Sequence, residues 1–546
     1  MFAEEVMKTI YMAGILKFQT SPGADENNIV ILIFSIGISM ALINTFVSWL
    51  MKKRIHQIEL FMKYPHEVQL EWFKKLLNHA RNTEYGKRYD FKSIQTPKQY
   101  QERIPLNDYE TLKPFIDRLR NCEQNILWPS EIKWFAKSSG TTNDKSKFIP
   151  VSQEALEECH FKGGKDLLSI YCNNHSETKL FNGKAIAMGG SHQIMEIKNE
   201  SFYYQGDLSA ILIQNLPAWV EFMRTPNLSI ALMDEWESKI EKMANAIIPH
   251  NVTNISGVPS WTLLLLKRVL EITRKSNLLE VWPNFELFIH GGVNFAPYRE
   301  QFFDILPSCE INYLETYNAS EGFFGIQDRD NINDMLLMLD YGIFYELIPL
   351  DQLERDYPKA LQLEDVKLNT NYAMVISTNA GLWRYLIGDT IQFTSLNPYR
   401  IKITGRTKNF INAFGEELIV DNAEKAIATS CERCHALITE YTAAPVYIHA
   451  NQKGAHEWLM EFSTPPEDLT FFTSIFDNAL KSLNSDYEAK RYHGLLLEEP
   501  RIRLMPPGTF YSWMKSKGKL GGQHKVPRLS NDRKYVDEIL KMVSRV

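Results

Sequence analysis

Lys137-Ser138-Ser139-Gly140-Thr141-Thr142-Asn143-Asp144-Lys145-Ser146-Lys147 gathers hydroxyl side chains around a glycine and ends on Lys145 and Lys147. Directly before it, Ile132-Lys133-Trp134-Phe135-Ala136 reads as a short strand. Glycine tolerates positive φ and close approach, so consecutive backbone N–H groups can converge on an anion. Hydroxyls donate to phosphate oxygens, and lysines add compact positive charge. The stretch is therefore a candidate phosphate loop, though not of the common kind. No GxxxxGK[ST] occurs in the chain, and no GxGxxG follows a strand. The same composition also makes ordinary surface turns, so the surrounding chain has to decide.

Downstream, Ser152 stands as the N-cap of a helix opening at Gln153-Glu154-Ala155, and strands and helices are expected to alternate to about residue 400. Residues 285–290 form an apolar strand running into Gly291-Gly292. Residues 311–317 run into Asn318-Ala319-Ser320-Glu321-Gly322, and residues 372–377 precede Gly381-Leu382-Trp383-Arg384-Tyr385 with Gly388-Asp389 close behind. Apolar strands that end in glycine, hydroxyl and acidic residues mark the carboxyl edge of an α/β sheet, where ligands bind. Near residue 405 the texture changes. Residues 404–409 read as a turn joining strands 400–403 and 410–415, and beyond it lies an α+β segment. That segment has strands at 444–448 and 458–462 and a helix over 466–483. A domain boundary is expected here, without an internal repeat or a low-complexity linker. The tail from Met514 to Arg528 carries Lys515, Lys517, Lys519 and Lys525 among glycines and serine. It reads either as a solvated basic loop or as one that presents Lys525 to a site on the larger domain.

Upstream, Val68, Trp72, Phe73, Leu76, Leu77 and Ala80 share a helical face after Tyr64-Pro65, and Asn82 with Gly86 marks its end. Residues 90–130 alternate helical turns with Pro97, Pro105, Pro114 and Pro129. Ile29 to Leu50 carries no charge and precedes Lys52-Lys53-Arg54, the length and flank of a membrane span. From Met40, however, Ile43, Phe46, Val47, Leu50, Ile55, Ile58, Phe61 and Met62 recur at helical spacing, and Asn44, Thr45 and Ser48 interrupt the apolar run. The expectation is an amphipathic docking helix, with membrane anchoring through 29–50 as the alternative.

A chain of 546 residues exceeds one core and divides into two or three domains. Its 44% hydrophobic, 12% aromatic and 23% charged residues are those of an ordinary globular enzyme. A net charge of −6 gives no reason to expect nucleic acid. The cysteines Cys122, Cys159, Cys172, Cys309, Cys431 and Cys434 are sparse and mostly isolated, which suits a reducing, cytoplasmic setting. Cys431-Glu432-Arg433-Cys434-His435 matches the haem-attachment spacing CxxCH. It continues a helix-forming stretch, though, and reads as two helix cysteines.

From about Met40 to the C-terminus the chain resembles the adenylate-forming superfamily, and within it the Gretchen Hagen family of acyl-acid amido synthetases, with bacterial members. The carriers are Ser138-Ser139-Gly140-Thr141-Thr142, Gly291-Gly292-Val293-Asn294-Phe295, Thr316-Tyr317-Asn318-Ala319-Ser320-Glu321, Trp383-Arg384-Tyr385-Leu386-Ile387-Gly388-Asp389, Gly405-Arg406-Thr407-Lys408 and Gly522-Gln523-His524-Lys525-Val526-Pro527-Arg528. The resemblance implies a mixed α/β fold: a large N-terminal adenylate-forming domain of helix-flanked β-sheets, and a small α+β C-terminal domain on a hinge. The domains would be 40–405 and 406–546, with 1–39 an extension outside the fold.

It also implies roles. Ser138, Ser139, Gly140, Thr141 and Thr142 would hold the ATP phosphates. Gly291, Gly292 and Tyr317 would border adenine, with Thr316 and Ser320 in the same pocket. Glu321 would bind Mg²⁺, Asp389 the ribose hydroxyls, Lys408 would be the hinge, and Lys525 would meet charge developing during adenylation. The implied reaction is AMP-forming ligation of a small carboxylic acid to an amine, expected to be an amino acid. Acyl-CoA ligation on the same adenylate, or nucleotide binding without turnover, are the alternatives. Two departures from the family pattern, Tyr-Asn-Ala-Ser-Glu at 317–321 and Trp-Arg-Tyr at 383–385, argue against carrying over the plant acids. The acyl pocket is expected between about Gly206 and Trp261.

Overall fold

The hydroxyl-rich loop springs from a hairpin rather than from a strand–helix junction. In the computed structural model β1 (Trp134–Ser138) and β2 (Lys147–Val151) pair antiparallel, with Ser138 opposite Lys147 at the end where residues 139–146 join the two strands. With β4 (His192–Glu196) and β5 (Phe202–Gly206) they make a four-stranded sheet in the order β2-β1-β5-β4. The structure describes Trp49, Met51 and residues 53–544, apart from 139–146, 191, 197–201, 217, 234, 293–294, 296–297, 354, 356, 408–409, 417, 448–452, 492–495 and 518–525. The expected span over 29–50, Trp49 apart, and the part of the expected docking helix before Trp49 thus lie outside the described residues. No helix among those described is long and apolar enough to cross a membrane.

The main sheet has eleven strands in two halves. Its parallel half comprises β3 (Lys184–Ala187), β6 (Arg224–Thr225), β7 (Val252–Gly257), β8 (Leu287–Gly291) and β9 (Asn312–Ala319), in the order β6-β3-β7-β8-β9. Helices such as Trp236–Ile247 and Pro259–Thr273 carry the crossovers and cover the apolar strands. After Ala319 the strand–helix alternation expected to continue to about 400 stops. β10 (Gly322–Ile326) follows β9 after two residues, too few for a crossover, so the chain turns back antiparallel. β11 (Met335–Leu337), β12 (Ile343–Pro349), β13 (Asn371–Thr378), β14 (Tyr385–Leu396) and β15 (Tyr399–Arg406) complete an antiparallel half ending on β12.

The outer edge of β12 is closed by side chain and loop. Gln69, buried on the helix Pro65–Ala80, donates to the Ile343 carbonyl (2.9 Å) and accepts from Tyr345 N–H (2.9 Å). Leu347 exchanges both backbone bonds with Leu361 (2.9 and 2.7 Å). That helix runs as its apolar spacing predicts. The one before it does not extend unbroken from residue 40, because the chain turns at Lys53 and Arg54 before the helix Ile55–Lys63. Arg54 is buried there. It forks onto Asp166 (2.8 and 3.0 Å) and reaches Asp340 (2.6 Å).

The remaining chain builds a small hairpin, β16 (Phe410–Ile411) with β17 (Leu418–Ile419), and a sheet of β18 (Leu437–Val446), β19 (Ala455–Thr464) and β20 (Arg501–Met505). The helices Val420–Cys434 and Leu469–Leu483 cover that sheet. Its core runs into the helical layer over β7 and β8, and Tyr298 donates to the Ala413 carbonyl (2.9 Å) across the junction. Cys431 and Cys434 lie in the last turn of their helix, as the helix-forming reading of that stretch expects.

Candidate active site

All the parallel strands deliver their carboxyl ends to one edge of the sheet. The order in which successive strands join the sheet reverses between the parallel pair β3 and β7: β3 leads outward to β6, whereas β7 leads to β8 and β9 on its other side. Such a switch point opens a crevice at that edge. Past the end of β3, buried Lys239 donates to the Gly189 and Gly190 carbonyls (2.5 and 3.1 Å), a contact with no motif to announce it.

Gly291 ends β8 opposite Thr316 of β9. A Cβ at Gly291 would lie 2.5 Å from the Thr316 carbonyl oxygen and 2.9 Å from its hydroxyl, so only glycine lets the strands approach this closely. Thr316 Oγ1 donates to the His290 carbonyl (3.2 Å). Gly292 then turns the chain away with φ +79°. One residue beyond Thr316, Tyr317 Oη donates to Asp389 Oδ2 (2.7 Å), and both side chains are buried. Two residues 72 positions apart, singled out separately by motif, therefore touch. Asp389 lies on β14 opposite Arg406 of β15, and Thr407 N–H donates to the Gly388 carbonyl (2.8 Å). The strand that holds Asp389 thus also holds the segment leading to Lys408. Ser320 and Glu321, both partly buried, form the tip between β9 and β10, and Ser138 ends β1. Ser139, Gly140, Thr141, Thr142, Lys408 and Lys525 lie outside the described residues.

Arg384, within the aspartate motif, serves the scaffold. It is buried with positive φ (+42°), its Nε faces both oxygens of buried Glu346 (3.2 and 3.0 Å), and Nη1 donates to the carbonyls of Gln101 (3.0 Å) and Ile104 (2.7 Å). Its neighbour Trp383 donates from Nε1 to the Leu127 carbonyl (3.1 Å).

Two histidines beside the site are held neutral. Burial lowers His160 to about 4, and burial with the nearby positive charge of Arg299 lowers His290 to about 3. Unfolded imidazole titrates near 6.5. Below that pH the unfolded chain takes up protons that the folded chain refuses. The stability these groups confer is therefore complete above pH 6.5 and is lost as the pH falls towards 4 and 3. Going from pH 7 to 5 is expected to cost about 2 kcal/mol per histidine. A denaturant midpoint that stays flat between pH 7 and 5 would contradict this.

Comparison with known proteins settles the affiliation. The GH3 family N-terminal domain matches residues 54–311, its central domain 336–406 and its C-terminal domain 421–534. The chain belongs to the GH3 family. Among GH3 relatives, indole-3-acetic acid-amido synthetase GH3.4 of Arabidopsis thaliana is 22% identical over 87% of this chain and 91% of its own length. The 4-substituted benzoates-glutamate ligase GH3.12 of the same plant is 22% identical over 84% of this chain and 92% of its own. The solved structure of the GH3.15 acyl acid amido synthetase superposes with a TM-score of 0.57 at 16% identity, covering 90% of this chain and 96% of that one. The resemblance read from the motifs, and the two-part adenylate-forming fold it implied, are borne out for this GH3 chain.

Proposed function

We propose that this GH3 chain is an ATP-dependent acyl-acid amido synthetase, which adenylates a small carboxylic acid and passes the acyl group to an amino acid. Its relatives are named as amido synthetases and an acid–glutamate ligase, which supports ATP as the activating substrate. The observation that carries the reading is the Tyr317–Asp389 hydrogen bond beside the bare backbone of Gly291. Tyr317 orients the Asp389 carboxylate, an acceptor suited to ribose hydroxyls, while a glycine edge lets a flat base lie against the strand end. Glu321 would hold Mg²⁺, which supplies neutralising charge to the phosphates when bound. The hydroxyl loop from Ser138 to Thr142 would grip those phosphates.

In the first half-reaction a carboxylate oxygen attacks the α-phosphorus and pyrophosphate leaves. In the second an amine attacks the acyl carbon and AMP leaves. Neither step needs a covalent enzyme intermediate, so the protein contributes positioning and electrostatics. The proposed working parts are a large domain over 40–405 and a small one over 406–546, hinged at Lys408, in a cytoplasmic protein.

A panel of carboxylic acids tests this, each assayed for exchange of labelled pyrophosphate into ATP and then for product with an amino-acid pool or CoA. AMP, pyrophosphate and an amide are expected. Release of ADP and phosphate would place attack at the γ-phosphorus and overturn the reading. Product with CoA alone would make the chain an acyl-CoA ligase.

A further inference from the structure

The loop that leaves the sheet at Gly291 and Gly292 reaches beyond the edge where the nucleotide is proposed to lie. Phe295 is buried and stacks on the His290 ring, with centroids 4.2 Å apart, so the loop is pinned back against β8. Tyr298 N–H donates to the Phe295 carbonyl (2.9 Å), and the Tyr298 side chain is fully buried. Its hydroxyl donates to the Ala413 carbonyl (2.9 Å), in the turn between β16 and β17. One loop therefore borders the proposed adenine site at one end and grips the proposed small domain at the other.

The turn is held from its other side by the small domain itself. Asn412 N–H donates to Asn531 Oδ1 (2.6 Å), and the N–H groups of Ala413 and Phe414 donate to the Glu416 carboxylate (3.2 and 2.7 Å). His456 Nε2 lies 2.8 Å from that carboxylate, with both side chains buried. Asn531 is fixed in turn, because its carbonyl accepts from Tyr447 Oη (2.7 Å) and Ser530 N–H donates to the Ala443 carbonyl (3.0 Å). It lies in the strip that starts at buried Val526, the residue after Lys525. A run of hydrogen bonds thus leads from the nucleotide edge, through residues 412 and 413, to that strip. Apolar packing crosses the same junction, with Ala413 and Phe414 in one core with Phe295, Tyr298 and Phe302. Such packing is non-directional, whereas a hydroxyl held on one carbonyl fixes which residues face each other.

We propose that Tyr298 is a positioning residue that couples nucleotide occupancy to the placement of the small domain, through Ala413 and Asn412. This rests on the nucleotide site proposed at Gly291 and Gly292. A nucleotide that steadies the loop also steadies the Tyr298 hydroxyl, and through it the turn and the strip beside Lys525. The coupling cannot exceed what the one hydrogen bond is worth, about two- to tenfold in an equilibrium.

The test is amide hydrogen exchange in peptides covering 410–418 and 526–533, with and without saturating α,β-methylene-ATP and Mg²⁺, and with no acid. In wild type the analogue should slow exchange in both peptides by about two- to tenfold. Tyr298→Phe keeps the buried ring and removes only the donor. It should bind the analogue with wild-type affinity, yet exchange at the same rate whether the analogue is present or not. A purely structural tyrosine would behave differently: its loss would raise exchange in both conditions and leave the effect of the analogue intact. Slowing by the analogue that survives in folded Tyr298→Phe, or that never appears in a wild type that binds it, overturns the coupling alone. Failure of wild type to bind the analogue overturns the nucleotide site itself, and the coupling with it. Should Tyr298→Phe fail to fold, Asn531→Ala cuts the tie on its far side. The analogue should then still slow exchange in 410–418 but no longer in 526–533, and slowing of both sinks the proposal.

Discussion

Lys525→Ala is expected to slow pyrophosphate exchange by about a hundred- to a thousandfold, the cost of removing one preorganised donor from a transition state. ATP binding should weaken far less, since Tyr317, Asp389 and the hydroxyl loop all belong to the other part of the chain. The anchoring around the lysine supports this division. On one side the helix Thr509–Ser516 leads to Lys517, which pairs with Glu538 (2.9 Å). On the other, Val526 is buried, the Pro527 carbonyl accepts from Thr442 Oγ1 (2.6 Å), and Leu529 bridges to Ala443. Lys525 thus stands one residue before a fixed point, whereas Lys517 is already engaged. Lys408→Pro makes the contrast. Restricting φ at the proposed hinge should spare exchange but slow transfer from a pre-made acyl-adenylate. Single-turnover transfer and exchange, measured separately on each variant, decide the matter. Wild-type exchange by Lys525→Ala would refute the assignment and make Lys519 the next lysine to test.

The second large effect concerns stability. Arg384→Ala would leave Glu346 buried without its counter-charge, and two carbonyls, of Gln101 and Ile104, without their donor. Breaking a buried pair from one side costs about 3–5 kcal/mol. A fall in thermal midpoint of about 4–6 °C is expected for a unit of this size. Removing both charges in Arg384→Met with Glu346→Leu should recover much of it, because the penalty lies in the orphaned carboxylate rather than in the lost attraction. A midpoint within about 1 °C of wild type for the single variant would show that water or repacking satisfies Glu346, against the geometry described.

Legibility in the sequence followed the range of the signal. β8, β9 and β13 could be read as apolar runs stopping at glycine or hydroxyl residues, because local periodicity reflects burial on each face. The helix Pro65–Ala80 was visible for the same reason. Yet Gln69, a polar residue that no motif marks, proves to be a partner for strand backbone. The antiparallel half was misread as continued alternation, since Gly322–Ile326 follows the tyrosine motif without a turn signal strong enough to mark a new strand. Arg384 with Glu346, and Arg54 with Asp166 and Asp340, were invisible, because spacing along the chain says nothing about charges 38, 112 or 286 residues apart. Motif resemblance placed Tyr317 and Asp389 in one pocket but not in mutual contact.

The closed edge of β12 bears on how the protein behaves when crowded with copies of itself. A sheet border with free N–H and C=O groups invites another chain to add a strand, which is how ordered aggregates begin. Here the Gln69 amide imitates a passing strand at Ile343 and Tyr345, and Leu361 takes over at Leu347. The opposite border is β6, only two residues long, with the Arg224 guanidinium clasped by Glu221 (2.7 Å). Among the described residues, neither border of this eleven-stranded sheet offers a long run of open backbone to a second chain, so the sheet is a poor template for adding a further strand while it remains folded.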